Sequence, residues 1–166
     1  MTSTITGPCL VIGDTSNPSG WTHRVPVLLL ALVGCGLSVY LTLYQWHLTG
    51  SVWDPLFGAG SSEAVLTSFV SRLLPVPDAT LGAVAYLVEA VLTALGGSDR
   101  SCARPLLVVV FGLVLAGLAL ASLALVLTQI FVVHALCALC LCSAAISFIN
   151  MWLGHGEVFA TLDWGS

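Results

Sequence analysis

The feature that most constrains this chain is a long apolar run near its C-terminal end. Residues 106–153 include no Asp, Glu, Lys or Arg. A helix needs about 20 residues to cross a bilayer, so this run is long enough for two spans, and Thr128, Gln129 and His134 mark the predicted turn between them. Only 7% of the residues are charged, against about 25% in a typical soluble domain. We predict a membrane protein embedded in the lipid bilayer, and no basic patch indicates nucleic acid as a partner.

Two further apolar segments, residues 25–45 and 79–95, bring the predicted number of spans to four. The expected fold is all-α, a four-helix transmembrane bundle. Glu89 lies in the second segment, where a charge costs about 2.5 kcal/mol or more at the bilayer centre. We expect it either inside the bundle or near the cytoplasmic end, where it can reach water. The predicted domains are a flexible cytoplasmic tail (1–24), the membrane domain (25–153) and a cytoplasmic C-terminal tail (154–166).

The orientation follows from the arginines, because the chain contains no lysine. Arg24, Arg100 and Arg104 flank one side of the predicted spans, and only Arg72 flanks the other. Positive residues favour the cytoplasmic side, which predicts a multi-pass protein of a bacterial inner (plasma) membrane with both termini in the cytoplasm. The first loop, residues 47–78, is then extracytoplasmic.

The first loop contains "SSEAVLTSFVSRLLP", residues 61–75, with apolar residues at helical spacing and a stop at Pro75. Ser61 or Ser62 is the expected N-cap. The pattern predicts a short amphipathic helix that lies over the bundle as a lid.

A cysteine motif opens the last predicted span, in "HALCALCLC", residues 134–142. Cys137 and Cys140 are three residues apart, so they share a helix face within disulfide reach. Free amides and the dipole at a helix start favour a thiolate, which suits a redox dithiol on the oxidising side of the membrane. Two alternatives stay open here. Cysteines are common small packing residues, as we expect for Cys35 and Cys142, and His134 adds a weak zinc pattern that lacks a second ligand pair.

Three stretches together resemble the vitamin K epoxide reductase family. "QIFVVHALCALCLCSAAISF" is similar to the start of the family's last core helix, and "PVPDATLGAVAYL" to the Pro-x4-Gly-x3-Tyr entrance of its second helix, here Pro77, Gly82 and Tyr86. "AVLTS", residues 64–68, resembles the segment that follows a loop cysteine. The three occur in the family's order and spacing.

This resemblance implies a quinone, ubiquinone or menaquinone, bound near the extracytoplasmic end of the bundle. It implies thiol–quinone oxidoreduction through Cys137 and Cys140 as catalytic residues. Cys140 would face the quinone, and Cys137 would accept electrons from a thioredoxin-like extracytoplasmic protein.

The sequence departs from the family in its first loop, which contains no cysteine. The family's two relay cysteines would align with Ser62 and with a position near Asp54. Without them, a partner could attack Cys137–Cys140 directly, the protein could bind a quinone without turnover, or the fold could serve a role unrelated to thiols.

The remaining candidates for quinone binding are Ser68, Phe69, Trp53, Phe57 and His134. Ser68 is a candidate hydrogen-bond donor to a quinone carbonyl, the three aromatic residues are candidates for stacking, and His134 could help deliver protons. A solvated serine and aromatic anchoring at the membrane interface are the simpler alternatives.

Overall fold

The computed structural model describes residues 20–68, 71, 76–97 and 104–162. Within these residues the protein is all-helical, as predicted, and no β-strand occurs there. We number the helices α1 (Trp21–Gln45), α2 (Ala59–Leu66), α3 (Asp78–Ala94), α4 (Pro105–Thr128) and α5 (Ala138–Leu162), with a π-helix (Gln129–Val133) continuing α4.

In the described part of the chain, three helical segments are long and apolar enough to cross a membrane: Trp21–Gln45, Pro105–Val133 and Ala138–Phe159. Their outward side chains include Leu113, Leu120 and Trp152, which are 67%, 67% and 69% exposed. Apolar groups at such exposure suit a surface that faces lipid. Helix α3 has 17 residues, at the short end of the range of about 17–25 that spans a bilayer. The predicted fourth span, and with it the four-helix transmembrane bundle, therefore stays a prediction.

Helices α1 and α3 lie side by side and run antiparallel. At one end, Gln45 Nε2 donates to Asp78 Oδ1 at 2.6 Å. At the other end, the Arg24 guanidinium donates to the carbonyl oxygens of Thr93 at 2.9 Å and Leu95 at 2.7 Å. These carbonyls belong to the last turn of α3, where helix geometry leaves acceptors without partners. Arg24 is therefore buried while its charge is compensated by hydrogen bonds.

Helix α5 joins this pair through polar contacts with α3. The Tyr86 hydroxyl lies 2.6 Å from both the Ser143 carbonyl oxygen and Ser147 Oγ. One turn further along, Asn150 Nδ2 donates to Glu89 Oε1 at 2.7 Å. Glu89 is fully buried, with 0% of its surface exposed. The expectation that Glu89 reaches water is wrong, and the interior position is the one observed.

Helices α4 and α5 pack closely because small residues lie at their contact. A Cβ at Gly112 would lie 2.9 Å from Val158 Cγ2, and one at Gly154 would lie 3.3 Å from Phe111 Cε1. Helix α5 continues to Leu162, through part of the segment predicted as the C-terminal tail.

The helix in the first loop begins earlier and ends sooner than its sequence pattern predicts. Its N-cap is Gly58, with φ 81°, a conformation that favours glycine. The predicted N-cap at Ser61 or Ser62 is wrong, since both serines lie inside α2. The helix ends at Leu66, and residues 69–70 and 72–75 lie outside the described part of the chain. Its role as a lid stays a prediction.

Candidate redox site

Cys137 and Cys140 form a disulfide bond at the start of α5. Their Cα atoms are 5.2 Å apart, so the two sulfurs predicted to lie within reach are bonded. The Cys140 N–H also donates to Cys137 Sγ at 3.2 Å, which gives this helix start one of the acceptors it needs. Cys35 and Cys142 are free thiols, and Cys142 is exposed.

The position of Cys137 follows from the way the chain leaves α4. After the π-helix, the backbone turns at His134, which has φ 53° in the left-handed region. The buried Gln129 side chain holds the turn, because its Oε1 accepts the Cys137 N–H at 3.2 Å. The Gln129 carbonyl oxygen accepts the Ala135 N–H at 3.3 Å. The predicted turn between the last two spans is found here.

The first loop places a carboxylate at this helix start. Asp54 Oδ2 accepts the Ala138 N–H at 2.8 Å and the Ser62 hydroxyl, while Oδ1 accepts the N–H groups of Leu56 and Phe57 at 2.9 Å each. Burial by itself raises the pKa of the Asp54 carboxyl. The hydrogen bonds outweigh burial and lower this pKa from 3.8 to about 2. The Asp54 carboxylate is therefore ionised at neutral pH.

Ser61 ties the same loop to the other side of Cys137. Its hydroxyl donates to the Leu136 carbonyl oxygen at 2.7 Å and accepts the Leu136 N–H at 3.1 Å. Cys137 lies between the two attachments and is 0% exposed. Its sulfur is therefore closed off from solvent, and the first loop is attached to the residue on each side of it.

Cys140 faces a different environment, a cavity of about 580 Å³. Ligand pockets usually have volumes of about 300–1,000 Å³ and mostly apolar walls with a few polar groups. This cavity fits that description, with its polar groups supplied by Tyr86, Ser122, Gln129 and Ser143 among others. Leu81 and Val88 line it and are 46% and 40% exposed, so the cavity is open and not enclosed. Cys137 does not line it.

Those ligand residues predicted from sequence that lie in the described part of the chain do not line this cavity. Ser68 lines a separate space of about 30 Å³, which Cys140 also borders. Trp53 and Phe57 are 69% and 42% exposed, and His134 is exposed at the turn before α5. Phe69 lies outside the described residues. Quinone binding by any of these residues stays a prediction.

Sequence reasoning did not single out Asp54, Ser122 or Ser143 as site residues. Ser143 follows Cys140 by three positions, so helical spacing could have placed it on the same face of α5. The family resemblance places a relay cysteine near Asp54, but no sequence pattern predicts the contact of Asp54 with Ala138, which is 84 residues away. Across the described ranges, no group of three or more His, Cys, Asp or Glu residues is placed to hold a metal ion.

The geometry is a disulfide at a helix start, next to an apolar cavity in an all-helical protein with membrane-spanning segments. The model of the vitamin K epoxide reductase family matches residues 25–154, and the chain belongs to this family. The family is one of membrane proteins with redox and quinone-related functions. No protein in a curated set of known proteins matches the chain.

Proposed function

We propose that this protein is a membrane thiol–quinone oxidoreductase that passes electrons from a dithiol through Cys137 and Cys140 to a quinone. The observation that carries the proposal is the division between the two bonded sulfurs. Cys140 borders the large cavity, whereas Cys137 lies under the first loop. One sulfur can therefore meet an electron acceptor while the other meets an electron donor.

The donor reacts by thiol–disulfide exchange. A thiolate of a thioredoxin-like extracytoplasmic protein attacks Cys137, a mixed disulfide forms, and Cys140 leaves as a thiolate. A second thiol of the partner displaces Cys137, so the partner departs with a disulfide and both cysteines are reduced. Two electrons then leave from Cys140, and the Cys137–Cys140 bond forms again.

The quinone, ubiquinone or menaquinone, supplies the acceptor chemistry, since it takes up two electrons and two protons. The cavity suits it by size, by apolar walls and by being open. Gln129 and Ser143 offer hydrogen-bond donors for its carbonyl oxygens, while the Tyr86 hydroxyl donates to the Ser143 carbonyl oxygen and holds that part of the wall in place. Ser68, next to the small space beside Cys140, remains a proposed contact, and we retain Trp53, Phe57, Phe69 and His134 as proposed groups near the mouth.

We place the site at the extracytoplasmic end of a four-span bundle in a bacterial inner membrane. Helix α3 supports a fourth span because hydrogen bonds tie it to α1 near both of its ends. Both termini are then cytoplasmic, with residues 25–153 as the membrane domain between tails 1–24 and 154–166. Helix α2 lies over Cys137 as the proposed lid.

The test is quinone reduction by the purified full chain with a dithiol donor, measured above the rate without protein. Cys137→Ala and Cys140→Ala should each abolish this activity. Cys142→Ala is the matched control, since that cysteine is free and exposed, and it should retain full activity. Undiminished activity in Cys140→Ala would rule the proposal out.

The second candidate function is a non-catalytic member of the family that binds a quinone or a partner. The observation that favours it is the first loop, which has no cysteine where the family resemblance expects the two relay cysteines, at Ser62 and at a position near Asp54. Introducing the pair Asp54→Cys and Ser62→Cys separates the two functions. If only this double variant reduces quinone with a thioredoxin-like donor, the natural protein keeps the fold without the activity. Equal activity in the natural chain would favour the enzyme.

A further inference from the structure

Asp54 joins the first loop directly to the first amide of α5. It accepts four hydrogen bonds, two from its own turn, one from α2 and one from the Ala138 N–H. The two local bonds stabilise the turn that orients the carboxylate toward the start of α5. The two distant bonds fasten α2 and α5 to the same oxygen atom, Oδ2.

Ser62 has no access to solvent, with 0% of its surface exposed. Its hydroxyl is directed at Asp54, so it serves as a buried donor within the loop. A buried acceptor that loses its donor is left without a hydrogen-bond partner, which is unfavourable. Both partners of this bond lie in the first loop, so it holds the Asp54 carboxylate in place, and opening the loop around Cys137 has to break the contacts of Asp54 with Ala138 and of Ser61 with Leu136.

The carboxylate also changes the electrostatics of the helix start. A free helix N-terminus stabilises a cysteine thiolate through its unpaired amides and its dipole. Here the Ala138 N–H is bound to Asp54 Oδ2 at 2.8 Å and the Cys137 N–H to Gln129 at 3.2 Å. A fixed negative charge bound to the amide that follows Cys137 disfavours a thiolate there, and through the ionised fraction of the reduced cysteine it disfavours the reduced form relative to the disulfide.

From this geometry we propose that the Asp54–Ser62 pair is a noncovalent latch that closes the first loop over Cys137 and favours the disulfide form of Cys137–Cys140. Both are positioning residues, since they act on the cysteines through the backbone and the field at the helix start. The inference deepens the proposed thiol–quinone function and rests on it for its purpose. The latch itself affects only the stability of the disulfide and its accessibility to a thiol.

The test titrates the purified full chain against glutathione redox buffers and measures the reduced fraction of Cys137–Cys140 by alkylation and mass spectrometry. Asp54→Asn removes the charge with little change in shape. It should shift the thiol–disulfide equilibrium toward the reduced form by roughly tenfold, which for two electrons corresponds to about 30 mV. Glu63→Gln makes the same chemical change one residue from Ser62 and should leave the equilibrium at its wild-type value.

Ser62→Ala separates the latch from the charge. It keeps the carboxylate but removes its donor, so the rate of reduction by glutathione should rise several-fold with a smaller change in equilibrium. If Asp54→Asn fails to fold, this rate decides the question. Wild-type equilibrium and rate in the folded variants would overturn the latch. A wild-type chain that reduces no quinone but shows these shifts would refute the proposed function and leave the latch standing.

Discussion

At the scale of single residues, Cys137 and Cys140 are bonded to each other but differ in their surroundings. Cys137 is fully buried beneath Asp54, Ser61 and Ser62, and Cys140 borders the 580 Å³ cavity. The difference arises because one residue precedes α5 and the other lies in its first turn. Cys137 and Cys140, three positions apart, therefore connect a covered part of the molecule with the cavity.

Asp54 predicts how acid affects the protein. Its pKa is about 2 in the folded chain and ordinarily 3.8, and a carboxyl with a lowered pKa stabilises the fold when it is ionised. That stabilisation should be fully present above about pH 4–5. It should decline as the pH falls and be lost as the pH passes through about 2. We expect the difference in Tm between wild type and Asp54→Asn to be constant from pH 7 to 5 and to shrink below pH 4.

Glu63→Gln is again the control for this measurement. Glu63 has no side-chain hydrogen bond within the described residues, so its replacement should cause a smaller change in Tm. A difference between wild type and Asp54→Asn that grows as the pH falls would contradict the assignment.

At the scale of helices, a glycine of α1 allows this helix to pack closely against α3. Gly34 lies against the Tyr86 ring, and a Cβ there would approach Tyr86 Cε1 to 2.6 Å. The Tyr86 hydroxyl is also bonded to Ser143 and Ser147 on α5 and borders the cavity. Close packing of α1 on α3 thus fixes a polar group of the candidate site.

Gly34→Ala should therefore displace Tyr86 and lower the free energy of unfolding by about 1–3 kcal/mol, the usual cost of overpacking. Gly36→Ala is the matched control, because nothing lies within 4 Å of a Cβ at that position. It should be neutral or slightly stabilising, since alanine favours helix over glycine. Thermal unfolding of the two variants in the same detergent measures the difference, and equal Tm values would show that Tyr86 adjusts freely.

At the scale of the whole molecule, the two ends of the helices have different chemistry. One end carries the disulfide, the first loop and the Gln45–Asp78 contact. The other end carries Arg24 bound to the end of α3. A membrane between these ends would separate the redox chemistry from the arginine-bearing side.

This arrangement predicts the labelling of exposed loop positions by a membrane-impermeant maleimide. Ser51→Cys should be labelled in cells whose outer layers have been removed but whose inner membrane is intact. Gly97→Cys should be labelled only after the inner membrane is permeabilised. Both positions are exposed, and the unmodified chain gives the background from its own cysteines. Labelling of both positions from the same side would show that α3 does not cross the membrane.

Much of the architecture follows from local properties of the sequence. An apolar run without charges predicts membrane helices whatever the rest of the chain does, and α1, α3 and α4 lie close to their predicted ranges. The spacing of Cys137 and Cys140 predicts their pairing because helical geometry places residues three apart on one face. These predictions depend on neighbours in sequence, which the sequence itself displays.

The surroundings of those cysteines depend on contacts that no local pattern displays. Asp54 meets Ala138 across 84 residues and Ser61 meets Leu136 across 75. Local sequence predicts Ser61 or Ser62 as the helix N-cap. In the folded chain Gly58 is the N-cap, and the two serine hydroxyls bond to Leu136 and Asp54 instead. The sequence by itself determined a set of membrane helices and a cysteine pair at the start of the last one. Only tertiary packing decided which sulfur is covered and which faces the cavity, because that depends on where distant segments meet.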